Sequence, residues 1–119
     1  LIPYYRGSQC VEWAIYNDEP IYLTAHYMSK VYDLGKIIKT KKINTRKLKS
    51  YSEIRIKVYK EQSELICEIL KNFESLKNKN LLIKNKKYFI KKPKIYKKMN
   101  LKKINEIINK VKNKKYLYQ

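Results

Sequence analysis

Apolar positions along this chain follow two rhythms. From Ser50 onward, Ile54, Val58, Leu65, Ile66, Ile69, Leu70, Phe73 and Leu76 fall near one stripe at spacings of three, four and seven, as they would on one face of an amphipathic helix. Ser50 or Ser52 stands where a helix cap belongs, with Glu53 in the first turn. A rival reading makes Glu53 to Tyr59 a strand, because Ile54, Ile56 and Val58 alternate with Arg55, Lys57 and Tyr59, and begins the helix only at Glu61. Periodicity admits both, and one long helix is preferred.

The flanking segments are shorter and less regular. Val11, Trp13, Ala14 and Ile15 form an apolar cluster, and Asn17 to Pro20 reads as a turn or the start of a helix. Ile21, Leu23, Ala25, Tyr27, Met28, Val31 and Leu34 then predict a short helix, closed by Gly35 as its C′ residue. Asp18 and Glu19, directly before Pro20, would cap that helix. Between Lys36 and Lys49, Ile37, Ile38, Ile43 and Leu48 sit among lysines, which predicts an ordered segment held against the domain with its cations outward. Leu81–Lys84 and Tyr88–Lys91 read as a small hairpin around Asn85-Lys86-Lys87, stopped by Pro93. Asn100 would cap a last helix carrying Leu101, Ile104, Ile107, Ile108 and Val111, and Tyr116, Leu117 and Tyr118 read as an edge strand. The fold class expected is mostly α with a small β-hairpin, an α+β arrangement. Residues 1–20 would form an N-terminal extension, 21–76 a small basic helical domain, and 77–119 a Lys-rich C-terminal extension of hairpin plus helix.

Charge changes what such a domain is for. The 119 residues carry 29 Lys and Arg against 10 Asp and Glu, a formal charge of +19. A fold this unbalanced repels itself in isolation, whereas a polyanion neutralises it and gains counterion release. The imbalance is not uniform. Residues 1–29 hold one base, Arg6, against Glu12, Asp18 and Glu19, while residues 77–119 hold 16 lysines against Glu106 alone. At 44% hydrophobic the chain is too apolar for a disordered basic tail. The candidate RNA contacts are Lys36, Lys39, Lys41, Lys42, Arg46, Lys47, Lys49, Arg55 and Lys57, with Lys86, Lys87, Lys91, Lys92, Lys94, Lys97 and Lys98 in the C-terminal third. Tyr88, Tyr96 and Tyr116, set within lysine runs, are candidates for base stacking. Arg, the better reader of base edges, occurs only at three positions, so the expected contacts follow phosphate and shape rather than sequence.

Enzymatic chemistry finds little support. His26 is the only histidine and no motif brings a cysteine or carboxylate to it. Gly7 and Gly35 are the only glycines, so there is no Gly-rich phosphate loop. Cys10 and Cys67 lack CxxC or Cys/His companions and read as buried free thiols. No catalytic residue, metal, cofactor or small-molecule substrate is expected. Neither a membrane span nor a signal peptide is visible in the sequence.

Leu23 to Val58 resembles the small-subunit ribosomal protein eighteen family of bacteria and organelles. The corresponding pieces are Tyr27-Met28-Ser29, then Gly35-Lys36-Ile37-Ile38, Lys41-Lys42-Ile43-Asn44, and Leu48-Lys49 leading to Ile54 and Val58. Asn44-Thr45 stands where that family has Thr-Gly, and its Leu-Pro-aromatic ending has no counterpart here. A weaker resemblance is to small-subunit ribosomal protein ten, through Ile54 to Lys57, Leu65 to Leu76, and Pro93 to Lys98. Both resemblances imply a structural constituent of the small ribosomal subunit that contacts rRNA and a neighbouring ribosomal protein. The Lys, Asn, Ile and Tyr-rich composition looks like an AT-rich genome and leans towards an organelle, a mitochondrion first. Two other classes share the charge: an accessory subunit of an organellar respiratory complex, and a viral or nucleoid DNA-binding protein.

Overall fold

This computed structural model describes residues 4–31, 33, 35–78 and 94–119. Their elements run β1 (Tyr5–Gly7), α1 (Cys10–Tyr16), β2 (Tyr22–His26), β3 (Ile37–Lys42), α2 (Tyr51–Lys71), α3 (Phe73–Asn78), β4 (Lys94–Tyr96) and α4 (Leu101–Lys112). Among the described residues this is a small α+β fold of four helices and a few short strands.

The long helix and the last helix form where the sequence places their caps. Ser50 Oγ accepts from Glu53 N at 3.1 Å, and Glu53 Oε2 reaches back to accept from Lys49 N at 2.8 Å, a variant of the reciprocal capping box. The strand alternative for Glu53 to Tyr59 is thereby excluded. The predicted stripe does not run unbroken to Leu76. Asn72 closes α2, its backbone N–H donating to Glu68 O and Ile69 O and its side chain to Glu68 O, and a separate α3 begins at Phe73. At α4, Asn100 Oδ1 accepts from Lys103 N at 3.0 Å.

The segment after Pro20 departs from expectation. Among the described residues between Ile21 and Leu34 there is no helix. Tyr22–His26 is instead β2, antiparallel to β3, with Tyr22 opposite Lys42, Thr24 opposite Thr40 and a bulge at Ala25/His26. Ile21, Tyr22 and Thr24 are β-branched or aromatic and suit a pleated surface. Their backbone groups are satisfied by β3, a pairing that reaches past the strand ends, with Ile43 N donating to Ile21 O and Tyr27 N to Lys36 O. Gly35 does not end a helix. A Cβ there would lie 1.5 Å from Tyr27 O, so only glycine lets the two arms approach.

Asp18 and Glu19 do not cap a following helix either. They follow α1, and Asp18 accepts from both Lys110 Nζ and Leu117 N. Tyr116 to Tyr118 form a turn rather than an edge strand, closed by Gln119 N donating to Tyr116 O. Of the hairpin predicted over Leu81 to Ile95, residues 81–93 lie outside the described residues. Lys94–Tyr96 form β4, parallel to β1, with Tyr5 opposite Lys94 and Gly7 opposite Tyr96.

One buried cluster draws on all three sequence segments. Tyr5, Ala14 and Ile15 come from the N-terminal part, Ile21, Ile43, Ile54 and Val58 from the middle, and Met99, Ile107, Val111 and Tyr116 from the C-terminal part. The terminal segments thus contribute residues to this cluster, with α1 packed on α4. Both cysteines are free, but Cys10 is half-buried and Cys67 is exposed, against the expectation of buried thiols.

Candidate nucleic-acid interface

Carboxylate placement decides which cations remain free. Glu12 is buried on α1, where Tyr51 Oη donates to it at 2.5 Å and Arg55 pairs with it at 3.4 Å. Burial, and then the bond to Glu12, hold the Tyr51 phenol well above its ordinary pKa. Along α2, Glu61, Glu64 and Glu68 face β3. Lys39 pairs with Glu68, and Lys41 lies 3.3 Å from Glu61 and 3.7 Å from Glu64. Lys57 pairs with Glu61 at 3.8 Å. Four predicted RNA contacts, Lys39, Lys41, Arg55 and Lys57, are thus already engaged by carboxylates of this chain.

The rest of the basic segment is not. Lys36, Lys42, Arg46, Lys47 and Lys49 are exposed, and no carboxylate among the described residues lies within ion-pair distance of their side chains. Between Lys39 and Arg46 backbone alternation explains the split. Ile43 and Thr45 are buried, so Lys42, Asn44 and Arg46 point the other way. Lys94, Lys97 and Lys98 are also exposed beside β4, with Lys94 Nζ 5.2 Å above the Tyr96 ring. Lys86, Lys87, Lys91 and Lys92 lie outside the described residues.

The fold joins this free loop to the C-terminal turn. Thr45 Oγ1 donates to Tyr118 O at 2.6 Å, and Gln119 Nε2 donates to Leu48 O at 2.5 Å. Between them lies a groove of about 400 Å³ lined by Lys42, Asn44, Arg46, Leu117, Tyr118 and Gln119. Lys42 Nζ stands 5.3 Å over the Tyr118 ring. Gln119 Oε1 is buried there without a hydrogen-bond partner among the described residues, an acceptor left open to an incoming donor. Cations, an aromatic face and amide groups in one groove suit a sugar–phosphate backbone with an unpaired base.

Two stacking candidates are used by the fold itself. Tyr96 stacks on Tyr5 at 4.8 Å with the planes 7° apart and meets Trp13 at 5.0 Å. Trp13 is held there by its indole N–H donating to Lys97 O, while Lys103 Nζ lies 4.7 Å over its ring. Burial pushes the Tyr5 phenol up to about 12. Tyr116 is only 2% exposed and donates to Glu19 O at 2.7 Å, so it cannot reach a base. Tyr88 lies outside the described residues. Tyr118, which sequence reasoning passed over, is the tyrosine at the groove. Nothing local in the sequence separates Tyr118 from Tyr116; the burial of Tyr116 in the core does.

His26 Nδ1 lies 2.9 Å from Tyr27 O, at the end of β2. Among the described residues no three His, Cys, Asp or Glu side chains converge to hold a metal ion, and no helix is long and apolar enough to cross a membrane. Compared with protein-family models, curated proteins and solved structures, the chain shows no match.

Proposed function

We propose that this chain is a structural, RNA-binding subunit of a ribonucleoprotein particle, the small subunit of an organellar, mitochondrial ribosome. The observation that carries the reading is the division of charge. Glu61, Glu64 and Glu68 of α2 are spent on Lys39, Lys41 and Lys57, Glu12 and Asp18 on Arg55 and Lys110, and the surplus cations face outward. A +19 chain that keeps its acids for itself needs anions from outside, and phosphate supplies them at high density. The resemblance to the protein eighteen family adds the ribosome to this reading. It implies a helix ending at Tyr27-Met28-Ser29, where β2 stands instead, so the charge division bears the greater weight.

The test is a sedimentation gradient of native extract, probed for this chain with and without RNase. Co-migration with a ribosomal subunit, lost on RNase treatment or at high salt, is the expected result. Unchanged sedimentation in a detergent-solubilised membrane complex would replace the reading with that of a respiratory accessory subunit. Tight binding of duplex DNA by the free chain would replace it with a nucleoid or viral role.

A further inference from the structure

Helix α2 has two apolar faces, and the core uses only one. Ile54, Val58, Leu65 and Ile69 are buried, while Ile56, Tyr59, Ile66 and Leu70 are 67%, 56%, 49% and 67% exposed. The exposed four recur at spacings of three, seven and four, so they form a second continuous stripe on the side of the helix away from the core. Ser52, Ser63 and Cys67 complete this face, and none of its residues is charged. Single exposed apolar residues are ordinary on a protein surface, but a row along one helix is a patch. Beside Tyr59 and Ile66 the stripe opens into a groove of about 500 Å³ between β2 and α2, lined also by Leu23, Val58 and Leu65.

We propose that the outward face of α2 is the docking surface for an amphipathic helix of a neighbouring protein, one with apolar side chains along its seam and carboxylates beside it. The inference rests on the particle-subunit reading and names the face that meets the neighbour. No residue of this face is itself charged, and the one guanidinium that reaches it, Arg55 lying 4.6 Å over the Tyr59 ring, is already paired with Glu12, so covering the face offers phosphate little counterion release. A second copy would add another +19 to the complex. The edge cations ask for the opposite sign: Lys60 and Lys71 flank the stripe with no carboxylate among the described residues in ion-pair reach, whereas Arg55, on the far edge, already has Glu12. The groove beside Ile66 accepts a large apolar anchor, the kind of contact that dominates such interfaces.

Cys67, exposed on this face, is a built-in reporter, with half-buried Cys10 as reference. The rate of its alkylation by N-ethylmaleimide is read by mass spectrometry. In the purified chain Cys67 should react freely, at a rate independent of protein concentration and unchanged by single-stranded RNA. A saturating synthetic amphipathic peptide, with leucines along its seam and glutamates on both flanks, should slow the reaction about tenfold or more. A peptide with lysine flanks should not, and Ile66→Ser in the chain, with its helical circular dichroism retained, should abolish the slowing. In the native particle Cys67 should be protected. A freely reactive Cys67 in the particle overturns the proposal, as does shielding by RNA alone. So does protection in the free chain, whether concentration-dependent, from a second copy, or not, from residues 79–93. A particle that contains no RNA while Cys67 is protected sinks the RNA reading and leaves the docking face standing.

Discussion

Two alanine variants separate cations that face outward from cations the fold consumes. In the first, Lys42, Arg46 and Lys47 are replaced together; in the second, Lys39 and Lys41. The first three have exposed side chains with no carboxylate partner among the described residues, so each is free to neutralise a phosphate. For single-stranded RNA each lost phosphate contact lowers the salt slope of log affinity by about 0.7, so the triple variant should lose about 2 from its slope. Between about 50 and 200 mM salt, a fourfold range, the wild-type chain should then weaken roughly tenfold to twentyfold more than the variant. Lys39 and Lys41 are already paired with Glu68, Glu61 and Glu64. Both remain over a third exposed, so these pairs are screened and their loss should cost only about 0–1 kcal/mol of stability, with little change in slope. The assay is fluorescence anisotropy of a labelled single-stranded RNA across a salt series, with urea denaturation of each variant alongside. Equal slope changes in the two variants, or a larger one in the double variant, would refute the assignment.

Other expectations concern the fold that carries the interface. Lys110 Nζ donates to Ile15 O and Tyr16 O at 3.2 Å and to Asp18, so it closes the C-terminal end of α1 from α4. Replacing it by Met, which keeps the stem and removes the donors, should cost about 2 kcal/mol by urea denaturation; an unchanged midpoint would show that α4 does not secure α1 in this way. Alkaline titration should also unfold the protein. Burial raises the phenols of Tyr5, Tyr51 and Tyr116 above their ordinary 10.0. Because the folded state holds these protons more tightly, their stabilisation is complete below pH 10 and is lost as pH rises through the folded values. Phenolate absorbance should rise in two stages, the second coinciding with loss of helical circular dichroism. Ionisation of every tyrosine near pH 10 with the helices intact would contradict the packing of these three rings.

Elements that depend on local signals were legible in the sequence. Helix α2 carries its own cap and a long apolar stripe, and α4 has Asn100 placed before its own, so both were found. The region from Ile21 to Gly35 was not. Its apolar spacing tolerates a helix, and only the partner strand at Ile37–Lys42 supplies the long-range hydrogen bonds that make it β. The pairing of β1 with β4 is more remote still, joining Tyr5–Gly7 to Lys94–Tyr96. Nothing local to either triplet predicts it. The tyrosines failed for a related reason. Tyr96 and Tyr116 sit among lysines in the chain, but neighbours in sequence do not fix burial: Tyr96 lies against Tyr5 and Trp13, and Tyr116 within the core.

The basic segment from Lys36 to Lys49 shows most directly how the fold sorts a run of like charges. As a sequence it is one run of cations. In the structure, β3 lies along the acidic side of α2, and the odd-numbered positions from Lys39 to Thr45 turn inward: Lys39 and Lys41 meet carboxylates, and Ile43 and Thr45 enter the core. Lys42, Asn44 and Arg46 are left outward beside Tyr118. A slip of one residue in the β2–β3 register would reverse this partition, exposing Ile43 and pressing Lys42 towards Glu61. The bulge at Ala25/His26 and the bond from Ile43 N to Ile21 O hold the register at opposite ends of the hairpin. The cations available to phosphate are thus chosen by the same hydrogen bonds that bury Ile43. Substitutions at Lys42 and Arg46 should therefore weaken binding without weakening the fold, and those at Ile43 and Thr45 should weaken the fold first.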